Sequence, residues 1–114
     1  MRLKIKWNDD RVKGAATAIL LIGRERIFRG ETVDLIQAAL AEYRDDPQGY
    51  KQNKAVWAGA QEMGPLTNPA HIAYYTNLRR ATDALLKKIE QGKRQFNSLL
   101  ELDNWLVDSL KNVR

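Results

Sequence analysis

The residues TNPAHIAYYTNLRRATDALLKKIEQG, which run from Thr67 to Gly92, decide how the rest of the chain is arranged. Thr67 or Asn68 can cap a helix, and Pro69 suits its first position because the missing N–H of proline would have no partner there. Gly92 is typical of the left-handed residue that ends a helix. The stretch therefore predicts a long helix that begins at Pro69 and ends before Gly92.

One face of this helix is apolar. At roughly 100° per residue, five positions fall on one stripe and four more lie along its edge. The stripe holds Tyr74, Leu78, Ala81, Leu85 and Ile89, and the edge holds His71, Tyr75, Thr82 and Leu86. We expect this face to be buried, with its tyrosines in the core. We interpret His71 as a hydrogen-bonded structural residue, because the chain has no second ligand at a metal-binding spacing.

The opposite side of the helix carries a basic column. Arg80, Lys87 and Arg94 recur every seven residues, with Arg79, Lys88 and Lys93 beside them. Such a column can follow the phosphates of a nucleic acid. The competing interpretation is a solvated face whose charges pair four residues apart, as Arg79–Asp83, Asp83–Lys87 and Glu90–Arg94.

The N-terminal residues alternate between apolar and basic side chains, as a half-buried strand does. Leu3, Ile5 and Trp7 lie on one side of this strand, Met1–Trp7. A lone strand leaves its backbone groups unpaired, so it needs an internal strand or a strand of another chain. We therefore expect Leu3, Ile5 and Trp7 to form a partner-binding strand.

The next residues have an ambiguous pattern. From Arg11 the apolar positions fit a helix, while β-branched residues and the glycines at 14, 23 and 30 also allow a strand, a turn and a second strand. We favour the helix. A basic cluster follows, and it adds to the expectation of a nucleic-acid partner: Arg24, Arg26 and Arg29.

Three more helices are predicted. The first spans Glu31–Tyr43 and has an apolar stripe of Val33, Ile36, Leu40 and Tyr43. The second begins at Asp46-Pro47 and runs to about Met63, and we expect Lys51 and Lys54 to face solvent. Capping of the helix ends explains the acids around its start: Glu42, Asp45 and Asp46. The last follows the capping box that starts at Ser98, with Leu99, Leu102, Leu106 and Leu110 on its apolar face. The alternative is one long helix that continues through Gly92.

Composition narrows the class of protein. The 114 residues suit one domain, 1–114, and the absence of cysteine excludes disulfides and thiolate metal sites. No hydrolase triad or phosphate-binding glycine loop is present, so we expect no catalytic residue, no metal and no cofactor. No stretch approaches the length of a membrane span or has a signal-peptide pattern, so we expect a cytoplasmic protein with no membrane partner.

The charges are unevenly distributed. The net charge is +5, with +5 in residues 1–30, −4 in residues 31–50 and +4 in residues 69–94. We predict an all-α fold, a single-domain bundle of four to five helices with a short N-terminal β-strand; the alternative is α+β with a small N-terminal sheet.

The expected function is non-catalytic. We expect a small basic helical subunit or adaptor that contributes a basic face to a nucleic-acid or nucleoprotein complex. Accessory subunits of RNA-guided effectors, and phage proteins that act on host nucleic-acid machinery, are examples of this type. The alternative is a protein–protein interaction or assembly module, without a nucleic-acid role, that uses its N-terminal strand to bind a protein partner or a second copy of itself.

Overall fold

The protein is mostly helical. The computed structural model describes residues 4–6, 9–28, 30, 33–52 and 65–113. Within them lie five helices, and no strand is assigned: α1 Asp10–Phe28, α2 Val33–Asp45, α3 Pro47–Gln52, α4 Pro69–Glu90 and α5 Leu99–Leu110. The prediction of a helical protein is confirmed. Of the predicted N-terminal strand only residues 4–6 are described, and they form neither helix nor strand.

Helix α1 is the central helix among those that the structure describes. It contacts α2, α3, α4 and α5, so the other helices are arranged around it. The continuous helix from Asp10 to Phe28 also decides between the two interpretations of this segment in favour of helix. The long helix α4, which the sequence singled out, is thus one of several that pack on α1.

Small residues allow this close packing. Ala15 and Ala18 are buried in α1 beside Ile19 and Ile22, which gives the helix a broad apolar surface. Gly23 packs closely against α4, because a Cβ atom on it would lie 2.8 Å from Cδ2 of Leu78. A side chain on residue 23 would therefore push against a fully buried leucine of the neighbouring helix.

The helix starts follow the capping rules. The carboxylate of Asp9 accepts the backbone N–H of Arg11 at 2.9 Å and also its guanidinium, which lowers the pKa of Asp9 to about 2. Asn68 Oδ1 accepts from Ala70 N at 2.9 Å at the start of α4, and Ser98 Oγ accepts from Glu101 N at 3.2 Å at the start of α5. The predicted starts of these two helices are confirmed.

The break after α4 is confirmed too. Gly92 has a φ of +70°, the left-handed conformation that glycine adopts without strain, so α4 does not continue into α5. The chain then places Phe96 in the core, with Trp105 of α5 against it at 5.3 Å between ring centroids. This turn lets α5 pack on α1, α2 and α4.

The core draws buried apolar residues from the N-terminal segment, from α1, α2, α4 and α5, and from Phe96. The predicted stripe of α4 is buried at Tyr74, Leu78, Leu85 and Ile89, and Ile5 of the N-terminal segment joins the same core at 7% exposure. Leu3 and Trp7 lie outside the described residues. Among the helices that the structure describes, none combines the length and the apolar character that a bilayer span requires.

Candidate nucleic-acid interface

The outer side of α4 is basic. Arg79, Arg80, Lys87 and Lys88 are all exposed, while Leu78 on the opposite side is completely buried. The orientation follows from the apolar stripe, because turning that stripe to the core turns the positions half a turn away to solvent. The helix thus presents four cations along its length.

The intrahelical ion pairs expected of a solvated face do not form. Among the described residues, no ion pair involves Asp83 or Glu90, and none involves Arg79, Arg80 or the lysines of the last turns. The cations of α4 therefore make no short contact with the acids of the same helix. A face of this kind keeps its positive potential toward solvent.

Arg94 does not continue the column, because α4 ends at Glu90. Its guanidinium lies 3.6 Å from Glu101 Oε1, and its Cζ lies 5.2 Å from the ring centroid of Phe96 and 5.9 Å from that of Trp105. The side chain is still 41% exposed. Arg94 is thus held in place by an acid and two rings, which the seven-residue spacing did not indicate.

Arg94 does meet the N-terminal cations. It lines a groove of about 450 Å³ together with Lys4, Lys6 and the acid Glu90, and Ile5 and Ile89 add apolar surface. We call this the N-terminal groove. Sequence alone could not show that these cations, about ninety positions apart along the chain, share one surface.

A second groove lies between α1 and α4. Its cations are Arg24 of α1 and Arg79 of α4, and its volume is about 410 Å³. Leu66, Ile72 and Tyr75 also line this groove and give it apolar surface, and Ile72 is 43% exposed. We call this the α1–α4 groove. It brings together one arginine from each of the two predicted basic clusters.

The remaining arginines of the first cluster have other surroundings. Arg26 lies on a different side of α1 from Arg24; its Nε is 3.6 Å from Glu25 Oε2 and its guanidinium lies close to the hydroxyl of Tyr50. Arg29 lies outside the described residues. The structure therefore brings Arg24, but not Arg26, to the surface that contains Arg79.

A buried polar cluster was missed in the sequence. Asp103 of α5 is only 2% exposed; its Oδ1 accepts from the Tyr43 hydroxyl at 3.1 Å, and its Oδ2 lies 3.3 Å from Lys51 Nζ. Burial raises the pKa of Asp103, and Lys51 opposes that shift. Burial and the neighbouring carboxylate also raise the pKa of Tyr43. The expectation that Lys51 faces solvent is wrong, since its side chain is 18% exposed and reaches inward to Asp103.

The acids around the start of α3 have structural partners. Asp46 Oδ1 accepts from Gly49 N at 3.1 Å, so it caps α3 as the sequence indicated. Glu42 Oε2 accepts the Tyr50 hydroxyl at 2.6 Å, and burial followed by this hydrogen bond raises the pKa of Tyr50 to about 12. In the part of the chain that the structure describes, no group of three acidic or histidine side chains is placed to hold a metal ion.

Chemically, the buried cluster and the two grooves differ. The Asp103 cluster is buried between α2, α3 and α5 and lines neither groove, so it serves packing. The four exposed cations of α4 make no ion pair among the described residues and can meet an anionic partner. No protein-family model, curated protein or solved structure matches the chain.

Proposed function

We propose that this protein is a non-catalytic nucleic-acid-binding subunit or adaptor that contacts the phosphate backbone through the basic side of α4. The observation that carries the proposal is the set of four exposed cations on α4 that make no ion pair among the described residues: Arg79, Arg80, Lys87 and Lys88. Cations without an acidic partner keep their charge available to phosphates.

We propose that the two grooves extend this basic surface. Arg24 lies beside Arg79 toward the start of α4, and Lys4, Lys6 and Arg94 lie near its end. With a rise of about 1.5 Å per residue, the helix between Ile72 and Ile89 spans about 25 Å. That length accommodates several phosphates of one strand. Contacts of this type give affinity with little sequence preference.

The test is the salt dependence of binding to labelled oligonucleotides. The double substitution Arg80→Gln and Lys87→Gln removes two exposed cations from the proposed face. Lys13→Gln with Lys111→Gln is a matched control, because it removes the same charge from exposed positions outside α4. We expect the first pair to reduce the slope of log K against log salt by about 0.7–0.9 for each phosphate that is no longer neutralised, and the control pair to leave the slope near that of the wild type.

Two results would contradict the proposal. The first is the absence of binding by the wild-type protein to both single-stranded and duplex DNA or RNA at low salt. The second is an equal change of slope in the two double variants, since binding would then depend on net charge rather than on the α4 face. Circular dichroism of each variant shows that the helices remain intact.

A further inference from the structure

The α1–α4 groove has a composition that phosphate contacts alone do not require. Two arginines line it together with the exposed side chain of Ile72 and the partly buried ring of Tyr75. A surface that only follows a phosphate backbone needs cations, not apolar surface. The combination indicates a ligand that offers negative charge and an apolar face close together.

We infer that this groove binds single-stranded nucleic acid, with an unpaired base against Tyr75 and Ile72 and the adjoining phosphates against Arg24 and Arg79. The inference rests on the proposed function and specifies its ligand. A duplex keeps its bases stacked and paired inside the helix, so it can offer only phosphates to this groove. A single strand can turn a base outward onto an aromatic ring while its backbone follows the cations.

The positions of the side chains support this assignment. Ile72, Tyr75 and Arg79 follow one another at spacings of three and four residues on α4, so they lie on one side of the helix. Arg24 reaches the same groove from α1. The tyrosine is anchored because part of its ring packs against the core, and such a ring presents a stacking surface with little loss of conformational freedom.

The neighbouring residues Tyr74 and Tyr75 have different roles: one belongs to the core and the other lines the groove. Tyr74 is 7% exposed and belongs to the core, whereas Tyr75 is half-buried and lines the groove. The sequence predicted both as core residues. The structure keeps that role for Tyr74 and leaves part of Tyr75 accessible to a base.

The experiment compares a short fluorescent oligothymidylate with a duplex of the same length, at the same salt concentration, by fluorescence anisotropy. We expect the wild-type protein to bind the single strand at least about tenfold more tightly than the duplex, since one stacked base contributes about 1–3 kcal/mol. Tyr75→Leu keeps an apolar side chain against the core but removes the aromatic ring. We expect it to weaken binding of the single strand about tenfold and to bind the duplex as the wild type does.

Two variants serve as matched controls. Tyr75→Phe retains the ring and should bind like the wild type. Leu100→Ser removes an apolar side chain that is 53% exposed on α5, away from the groove, and should leave both affinities unchanged.

Two further variants test the other groove residues. Ile72→Ser should weaken binding of the single strand, while Arg79→Gln should weaken binding of both ligands.

Different results would overturn the inference and the proposed function. Binding of single strand and duplex with equal affinity, or a single-strand preference that survives Tyr75→Leu, would overturn the inference and leave the proposed function standing. Absence of binding to either ligand at low salt would overturn both. A weaker affinity of Tyr75→Leu for the single strand, accompanied by an equal weakening for the duplex, would also overturn the inference, because a general disturbance of α4 would then explain the result.

Discussion

At the scale of single residues, Asp103 shows which features a sequence pattern can indicate and which it cannot. Periodicity placed Leu102, Leu106 and Leu110 on the buried face of α5, and all three are buried. Asp103 stands beside Leu102 in the sequence, at a polar position on the edge of that face. Its burial depends on Tyr43 and Lys51, which lie 60 and 52 residues away, and no local pattern indicates partners at that separation.

We predict that this carboxyl makes stability depend on pH. Because burial raises the pKa of Asp103 in the folded protein, the folded state holds its proton at pH values where the unfolded state has released it. The stability that Asp103 contributes is therefore largest below its ordinary pKa of about 3.9 and declines as the pH rises through its folded pKa. Asp103→Asn removes this titration but keeps an amide oxygen that can accept from Tyr43.

The measurement is urea unfolding of wild type and Asp103→Asn from about pH 3 to about pH 7. We expect the difference in unfolding free energy, wild type minus variant, to fall as the pH rises. Lys51 is the charged group facing this carboxyl. A difference that rises with pH would show that attraction to Lys51 outweighs the cost of burying the carboxylate.

At the scale of elements, the sequence patterns predicted the helices α4 and α5 more clearly than the helix α1. Both of those helices have a narrow apolar stripe and a capping residue whose side chain bonds to the backbone, at Asn68 and Ser98. Helix α1 contacts each of the other described helices, so its apolar surface is broad and its small residues are needed for close approach. A broad apolar surface with small residues obscures the helical period, which is why a strand remained possible for this segment.

Two glycines of α1 test this explanation within one helix. A Cβ atom on Gly14 would meet nothing within 4 Å outside its own part of the helix, whereas a Cβ on Gly23 would lie 2.8 Å from Cδ2 of Leu78. We expect Gly14→Ala to stabilise the protein by about 0.5–1 kcal/mol through helix propensity. We expect Gly23→Ala to destabilise it by about 1–2 kcal/mol, because overpacking against a buried leucine exceeds the same gain in propensity.

Thermal or urea unfolding of the two alanine variants checks this prediction directly. Equal stabilisation by both substitutions would mean that α1 and α4 do not pack closely at Gly23. The double variant Gly23→Ala with Leu78→Ala adds a second check, because it removes the atom that the new methyl group meets. In that background we expect the substitution at residue 23 to cost less than it does beside leucine.

At the scale of the whole molecule, the fold gathers charges that the sequence could only count. Arg24 of α1 and Arg79 of α4 line the α1–α4 groove, and Lys4, Lys6 and Arg94 line the N-terminal groove. The acids Glu42, Asp45 and Asp46 lie around the α2–α3 junction. Which cations share a surface depends on how α1 and α4 cross and on where the N-terminal segment returns. Both are long-range features, and hydrophobic periodicity carries no information about them.

The N-terminal segment provides the last prediction, because its two possible roles have opposite consequences. Ile5 is 7% exposed within the core of its own chain and lines the N-terminal groove beside Ile89. We therefore expect Ile5→Ala to lower the unfolding free energy by about 2–5 kcal/mol, the usual cost of truncating a buried isoleucine. Sedimentation velocity at a temperature where the variant remains folded should show the same oligomeric state as the wild type.

Lys4→Ala is the matched control, since Lys4 is exposed next to Ile5 and its removal should change stability little. If the segment instead formed a strand that captures a second chain, Ile5→Ala would alter self-association or partner binding and leave the stability of the single chain nearly unchanged. The two measurements therefore distinguish a residue that belongs to the core of its own chain from one that binds a partner chain. The burial of Ile5 favours the first role, because a side chain already packed inside its own chain offers little surface to another.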